Sequence, residues 1–214
     1  MHHLESARLT ARQADSADVG FFQRLWGDPR VMAYLGSPRS SEETTAALEQ
    51  STRMWNQRGF GRWIVLDADG PVGTVKLAPI VIHDRDEVEL GYAFAPQFWG
   101  RGYATEAATA VLGFAREAVK LDQVVAFAAV GNTVSIAVMR RLEFLPAGTF
   151  ERPRGTHVLY RRPLAGSVQP PAFHQPVVSQ QPAKDPAATA AGAAESAGLD
   201  VYSPLADSRP GQGY

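Results

Sequence analysis

The chain has 214 residues, 45% of them hydrophobic, which is enough apolar material for one well-buried domain. Lysine plus arginine number 21 against 22 for aspartate plus glutamate, so the net charge of -1 gives no electrostatic reason to expect nucleic acid or a membrane surface as partner. The absence of cysteine excludes a disulfide framework, a thiolate metal site and a cysteine nucleophile together.

Met1 to Ser6 lack a basic segment followed by an apolar run, and no stretch approaches the ~18 apolar residues that span a bilayer, so a cytoplasmic location is expected. Leu9 to Arg12 reads as a short strand. Asp15 or Ser16 then caps a helix that carries Val19, Phe22, Leu25 and Trp26 on one face and ends at Gly27. Asp28-Pro29 supplies an N-cap and an N1 proline for a short turn of helix stopped by Gly36. Ser40-x-x-Glu43 is a capping box that opens a third helix, running to about Gln57.

Trp63 to Leu66 and Val72 to Ile82 flank the turn Asp67-Ala68-Asp69-Gly70, the pattern of an antiparallel hairpin. A polar turn, His83 to Asp86, leads to a strand over Glu87 to Ala95. A Gly-rich loop at 100 to 102 then opens a long helix with Ala107, Val111, Leu112 and Ala115 at helical spacing. A strand from Gln123 to Ala129, a helix from Asn132 to Leu142, and strands over Phe144 to Glu151 and His157 to Arg162 complete the order βαααβββαβαββ. The expected class is α+β: a mixed, mostly antiparallel sheet of about seven strands, with helices on both faces and no repeats. Residues 1–163 form this domain. Residues 164–214 hold seven of the fifteen prolines, eleven alanines and three aromatics, the composition of a disordered Pro/Ala-rich tail.

The most informative stretch is the exit from the strand ending at Phe94 into the helix, through Gly100 and Gly102. Unpaired N–H groups at a helix start point outward with the positive end of the helix dipole behind them, and glycines let a ligand approach the backbone. A diphosphate fits such a loop, although a plain strand-to-helix turn has the same spacing. Neither Gly-x-Gly-x-x-Gly nor Gly-x-x-x-x-Gly-Lys-[Ser/Thr] is present, so the dinucleotide and nucleoside-triphosphate readings lack their marks.

Glu89-Leu90-Gly91-Tyr92, followed by Pro96-x-x-Trp99-Gly100-Arg101-Gly102-Tyr103-Ala104-Thr105-Glu106-Ala107, resembles the GNAT superfamily of N-acetyltransferases, in particular its RimJ/RimL-like branch. The likeness runs from Leu9 to Arg161 and includes Asn132-Thr133-Val134-Ser135. It implies acetyl-CoA as co-substrate, with its pyrophosphate on Gly100, Arg101, Gly102, Tyr103, Ala104 and Thr105. It also implies a pantetheine contact from Asn132, and the strand end Tyr92, Ala93 and Phe94 is counted with the cofactor contacts. Two departures stand out. Glu143 replaces the glycine that usually ends the second helix, so that helix is expected to close without its left-handed residue, and Met139 rules out the tyrosine acid some relatives carry there.

Acetyl transfer to an amine needs a neutral nucleophile, a place for negative charge on the carbonyl oxygen, and a proton for the departing thiolate. Strand alternation puts Glu89, Gly91 and Ala93 on one face and Val88, Leu90, Tyr92 and Phe94 on the other. Glu89 is the general-base candidate, in an apolar setting with room beside Gly91 and Ala93. Alternatively it pairs with a basic neighbour such as Lys76 and only stabilises the sheet. Backbone N–H groups near Ala93 to Ala95 are candidates to polarise the thioester. Ser135 is the candidate donor to the thiolate, unless its hydroxyl bonds its own helix backbone.

Trp26, Tyr34, Trp55, Phe60 and Trp63, on the expected acceptor side, are read mostly as core. No metal is expected at His83, Asp84 and Asp86 or at His2-His3. The expected function is direct acetyl transfer to a primary amine, on a protein N-terminus or a small molecule, by a monomer or homodimer. The alternative is a non-catalytic acyl-CoA-binding regulatory module.

Overall fold

The computed structural model describes residues 3–164. Strand β1 (Leu4–Glu5) and strand β2 (Thr10–Gln13) lead through a turn of 3-10 helix, Ser16–Asp18, into α1 (Val19–Gly27), α2 (Pro29–Met32) and α3 (Ser41–Arg58). Then come β3 (Arg62–Asp67), β4 (Gly70–Ile82), β5 (Arg85–Phe94), a 3-10 turn at Pro96–Phe98, and α4 (Tyr103–Phe114), which runs on as a π-turn, Ala115–Val119. The last elements are β6 (Gln123–Ala129), α5 (Thr133–Arg141), β7 (Leu145–Arg152) and β8 (Gly155–Pro163). The tail expected from residue 164 lies, from residue 165 on, outside the described residues.

The strands form one sheet in the order β1-β2-β3-β4-β5-β6-β8-β7. The sequence predicts seven of the eight. The eighth, β1, is only two residues long and exists through its pairing of Leu4 with Ala11 and Glu5 with Thr10, which no local pattern announces. The expected caps are in place: Asp15 and Asp18 form a capping box, Asp28 accepts from the Arg30 N–H, and Ser40 and Glu43 form the second box. These satisfy donors that every helix start leaves open.

Alternation along β3 divides the core. Trp63 and Val65 join Val75, Leu77, Leu90 and Val124 against the buried faces of α4 and α5 (Ala108, Val111, Met139, Leu142), whereas Ile64 points the other way, to Phe22, Leu25 and Trp26 of α1 and Val31 and Met32 of α2. Helix α3 serves both layers, giving Leu48 to the second and Trp55 to the first. Helices therefore cover both faces.

Every neighbouring pair in the sheet is antiparallel except β5 and β6, which run parallel and meet at the single register pair Glu89↔Val125. Just below that point Glu87, 6% exposed, accepts from Arg161 of β8 at 2.8 and 3.1 Å and from Gln123 of β6 at 2.8 Å. A buried carboxylate with three charge-assisted or amide donors is well compensated, and this one ties β5, β6 and β8 together. Beyond Glu89 the two strands part.

The end of α5 corrects the sequence reading. Glu143 itself takes the left-handed conformation, at φ 60°, and the helix closes with Phe144 N–H donating to the Met139 carbonyl at 3.0 Å. Arg162 holds this corner from the side, on the Leu142 carbonyl at 2.6 Å and the Glu143 carboxylate at 3.1 Å. A side chain in that region costs ~1 kcal/mol, partly offset by the lower backbone entropy of a non-glycine chain when unfolded, and the Glu143 carboxylate is too exposed to repay it. Glu143→Gly is expected to stabilise the domain by ~0.5–1 kcal/mol, a rise of about 1–4 °C in Tm by thermal denaturation.

Candidate active site

Because β5 and β6 are parallel, both strands end at the same, open side of the gap, and the helices that follow them, α4 and α5, begin there. On β5, Ala95 N–H donates to Val72 of β4 at 3.0 Å, and the register pairs Ala93 with Thr74 and Gly91 with Lys76. Alternation of the antiparallel ladder then turns the backbone groups of Ala93 toward β4 and those of Tyr92 and Phe94 toward the gap. Of the amides expected near Ala93 to Ala95, those of Ala93 and Ala95 face β4, and Tyr92 and Phe94 turn theirs to the gap. The Phe94 carbonyl is taken by the Trp99 indole N–H at 2.6 Å.

The loop into α4 has Gly100 at φ 75° and Gly102 at φ 79°, with Gly102 as an N-cap that makes no side-chain bond. Gly100, Arg101 and Gly102 are exposed. No side chain among the described residues accepts from the N–H groups of Gly100 to Thr105, and the first intrahelical bond is from Glu106 to the Gly102 carbonyl at 3.0 Å. A fan of free amides at a helix start fits a diphosphate. Tyr103 contributes only its backbone. Its ring is buried, stacks near Phe98 and sends its hydroxyl to Asp67 at 3.2 Å.

Across the gap, Asn132 is the N-cap of α5, its side-chain oxygen accepting from the Ser135 N–H at 3.1 Å. The amide NH2 of Asn132 has no partner among the described residues and can meet a ligand. The Ser135 hydroxyl bonds the Tyr92 hydroxyl at 3.0 Å, and Tyr92 also reaches the Ser135 carbonyl at 3.1 Å. Burial pushes the Tyr92 phenol up to about 12, against a smaller opposing effect of its bond to Ser135.

A family model for an acetyltransferase (GNAT) domain matches residues 8–145. The chain belongs to the GNAT acetyltransferase family. YkkB of Bacillus subtilis (strain 168) is 30% identical over 144 residues, covering 65% of this chain and 83% of that one. The Aspergillus fumigatus FsC-acetyl coenzyme A-N(2)-transacetylase is 31% identical over 148 residues, 64% of this chain and 62% of the fungal enzyme. In fold, the chain resembles RimL, the ribosomal L7/L12 alpha-N-protein acetyltransferase solved in complex with coenzyme A, with a TM-score of 0.66 at 20% identity over 76% of this chain and 98% of RimL. GNAT enzymes use acetyl-CoA as acyl donor in general, and the amides of the gap and of the α4 loop suit that molecule.

Glu89 lies on the face of the GNAT sheet turned toward α1 and α2. Its setting is not apolar, as the sequence suggests, but cationic. Lys76 Nζ meets Glu89 Oε2 at 3.0 Å, with the two side chains 29% and 14% exposed. The space beside Gly91 is not open either: a Cβ there would come within 2.6 Å of Lys76 Cε, so the lysine stem lies across the glycine. Oε1 of Glu89 has no hydrogen bond among the described residues.

Next to Lys76 in the register stands Arg62 of β3, whose Nε is buried with no hydrogen-bond partner. Burial, then the charge of Arg39, pushes the Arg62 guanidinium down to about 9, while Glu89 opposes the shift. Both guanidinium groups lie over the Trp26 ring, Arg39 at 4.6 Å and Arg62 at 4.7 Å from its centroid. These basic side chains leave no mark in a composition with balanced charge. The register of three strands brings Arg62, Lys76 and Glu89 together, and the segment before α3 adds Arg39.

Trp26, Trp55, Phe60 and Trp63 are buried, as expected, but Tyr34 is 49% exposed. His83 sits in the β4–β5 turn at positive φ with its ring toward Phe150, and no group of three metal-binding side chains occurs among the described residues. No helix of the described residues is long and apolar enough to cross a membrane.

The α4 loop is braced from β1–β2. Glu106 accepts from the Arg8 side chain at 2.6 and 2.8 Å, the Arg8 N–H at 2.8 Å and Ser6 at 2.9 Å, and Arg8 also reaches the Arg101 carbonyl at 3.1 Å. Burial pushes the Glu106 carboxyl up, but the bonds from Arg8 and Ser6 and the Arg8 charge together bring it below its usual 4.5. Stability from this cluster is therefore complete above that ordinary value and is lost as pH falls through the lower folded one. Glu106→Gln is expected to cost ~1 kcal/mol at neutral pH, and melting curves of the two proteins should converge in acid.

Proposed function

We propose that the chain moves an acetyl group from acetyl-CoA to a primary amine by direct attack in a ternary complex. The observation that carries this reading is the arrangement around the gap: free amides at the start of α4 and on β5 at one side, and the carboxylate of Glu89 on the sheet face behind it. When bound, acetyl-CoA supplies the electrophilic thioester carbonyl and the thiolate that leaves. The amides of residues 100–105 hold the diphosphate, and the amide NH2 of Asn132 meets the pantetheine arm.

Glu89 Oε1, unoccupied by any hydrogen bond, receives a proton from the acceptor ammonium directly or through a water, while Lys76 fixes Oε2. The neutral amine then forms the C–N bond as the C–S bond breaks. The N–H groups of Tyr92 and Phe94 face the place where negative charge develops on the carbonyl oxygen. On the thiolate, the Ser135 hydroxyl acts as a hydrogen-bond donor rather than by full proton transfer, while the Tyr92 hydroxyl donates to Ser135 and holds it in place. A phenol near 12 gives its proton to a thiolate whose conjugate acid is near ~8.5 only at a cost of about 5 kcal/mol, so the thiolate leaves as such or takes a proton from water.

Acetyl-CoA is expected to bind with saturable heat in calorimetry, and free CoA to appear when peptides with free N-termini or small amines are added. Saturable binding with no turnover on any amine would instead mark a regulatory acyl-CoA module. Glu89→Gln should lower kcat by ~10²–10⁴-fold with acetyl-CoA affinity nearly kept, and its activity should recover at higher pH, where the amine arrives already deprotonated. Normal turnover by that variant would remove Glu89 as the base.

A further inference from the structure

Among the described residues, Arg62 is a half-buried cation with an incomplete set of partners. Its Nε is buried without a partner, its guanidinium makes no ion pair, and its contact is the face of Trp26. The carboxylate whose charge reaches it, Glu89, is already held by Lys76 at 3.0 Å. A guanidinium whose Nε is shut away from water without an acceptor is costly to keep, and its planar fork of donors suits a carboxylate.

Arg62 and Glu89 share one face of the sheet. Arg62 pairs with Lys76 across β3–β4, and Lys76 pairs with Gly91, two residues from Glu89, across β4–β5. Neighbouring strands are about 4.8 Å apart, so β3 and β5, two spacings apart, put the backbones of Arg62 and Glu89 about 10 Å from each other with Lys76 between them. Trp26, on which the guanidinium lies, belongs to α1, the helical layer on this side.

We propose that Arg62 binds a carboxylate of the acceptor, so that the enzyme's substrates are amines carrying a carboxylate a few bonds from the reacting nitrogen. This rests on the reading of Glu89 as the group that receives the amine. The ammonium goes to Glu89 Oε1 and the carboxylate to Arg62, so that each charge on a zwitterionic acceptor meets its opposite. Uncharged or purely cationic amines leave Arg62 unsatisfied and are discriminated against. The same chemistry occurs in free α-amino acids and in peptides beginning with Asp or Glu, and the test separates them.

CoA release is measured with α-amino acids, their α-carboxamides, and peptides beginning with Asp or Glu against matched peptides beginning with Asn or Gln. The acid should exceed its amide partner at least about tenfold in kcat/KM, mostly through KM, in the amino-acid arm or the peptide arm according to the source. Arg62→Met should bring that ratio close to one, with Arg62→Lys in between, and a thermal melt confirms that each variant is folded. A second readout needs no turnover: N-acetyl-α-amino acids and N-acetyl peptides beginning with Asp or Glu, titrated by calorimetry against their amide partners, should bind better as acids, and only with Arg62 present. Acid-selective, Arg62-dependent binding without turnover would sink the transferase reading and leave the anion site standing. Equal handling of acid and amide by the parent protein, or a preference that survives in folded Arg62→Met, overturns the proposal.

Discussion

Parallel strands joined by a helix run side by side in one direction, and β5 and β6 do so at a single register pair, Glu89 with Val125. Everything that suits the chain to acyl transfer follows from where that pair sits. The Glu87–Arg161–Gln123 cluster locks the strands immediately below it, so the divergence starts at a fixed residue rather than fraying along the edge. Above it, β5 has lost its neighbour and exposes the amides of Tyr92 and Phe94, which an uninterrupted sheet would have consumed. Because both strands point the same way, two helix starts are delivered to the same opening, one capped by a left-handed glycine and one by Asn132. The gap is also spanned from within, by the Tyr92 hydroxyl on Ser135. Backbone donors of β5 therefore line one side of the opening and the Ser135 hydroxyl the other.

Much of this was legible because it depends on local chemistry. Capping residues, the hairpin turn and the two glycines before Tyr103 each act within a few residues, and the structure places them as the sequence requires. What escaped depends on contacts across the sheet. A two-residue strand at Leu4–Glu5 has no periodicity to read, and the room beside Gly91 looked open because nothing in the sequence says that a lysine one strand away will lie across it. Glu143 was misread for a different reason. A left-handed helix end normally asks for glycine, but Arg162, twenty residues after Leu142, holds the Leu142 carbonyl and the Glu143 carboxylate in place. Glu87 directly follows a polar turn, with nothing local to set it apart, and is the buried centre of the sheet junction.

The Lys76–Glu89 pair admits two accounts, and its geometry bears on which is the better one. A pair that served stability alone would be expected at the surface, where it is cheap, or fully buried with every lone pair satisfied. This one is neither: it is partly exposed, engages one carboxylate oxygen and leaves the other without a donor among the described residues. In the role proposed for Glu89, holding Oε2 fixes the direction in which Oε1 points, so the orientational entropy of a flexible glutamate is lost on folding and not during the reaction. The glycine at position 91 is what permits this, since any Cβ there would meet the lysine stem. Arg62, a short step along the same face, extends the logic. A guanidinium with a buried, partnerless Nε on the same sheet face as a carboxylate with one open oxygen gives the charge pattern that the proposed zwitterionic acceptor would complement.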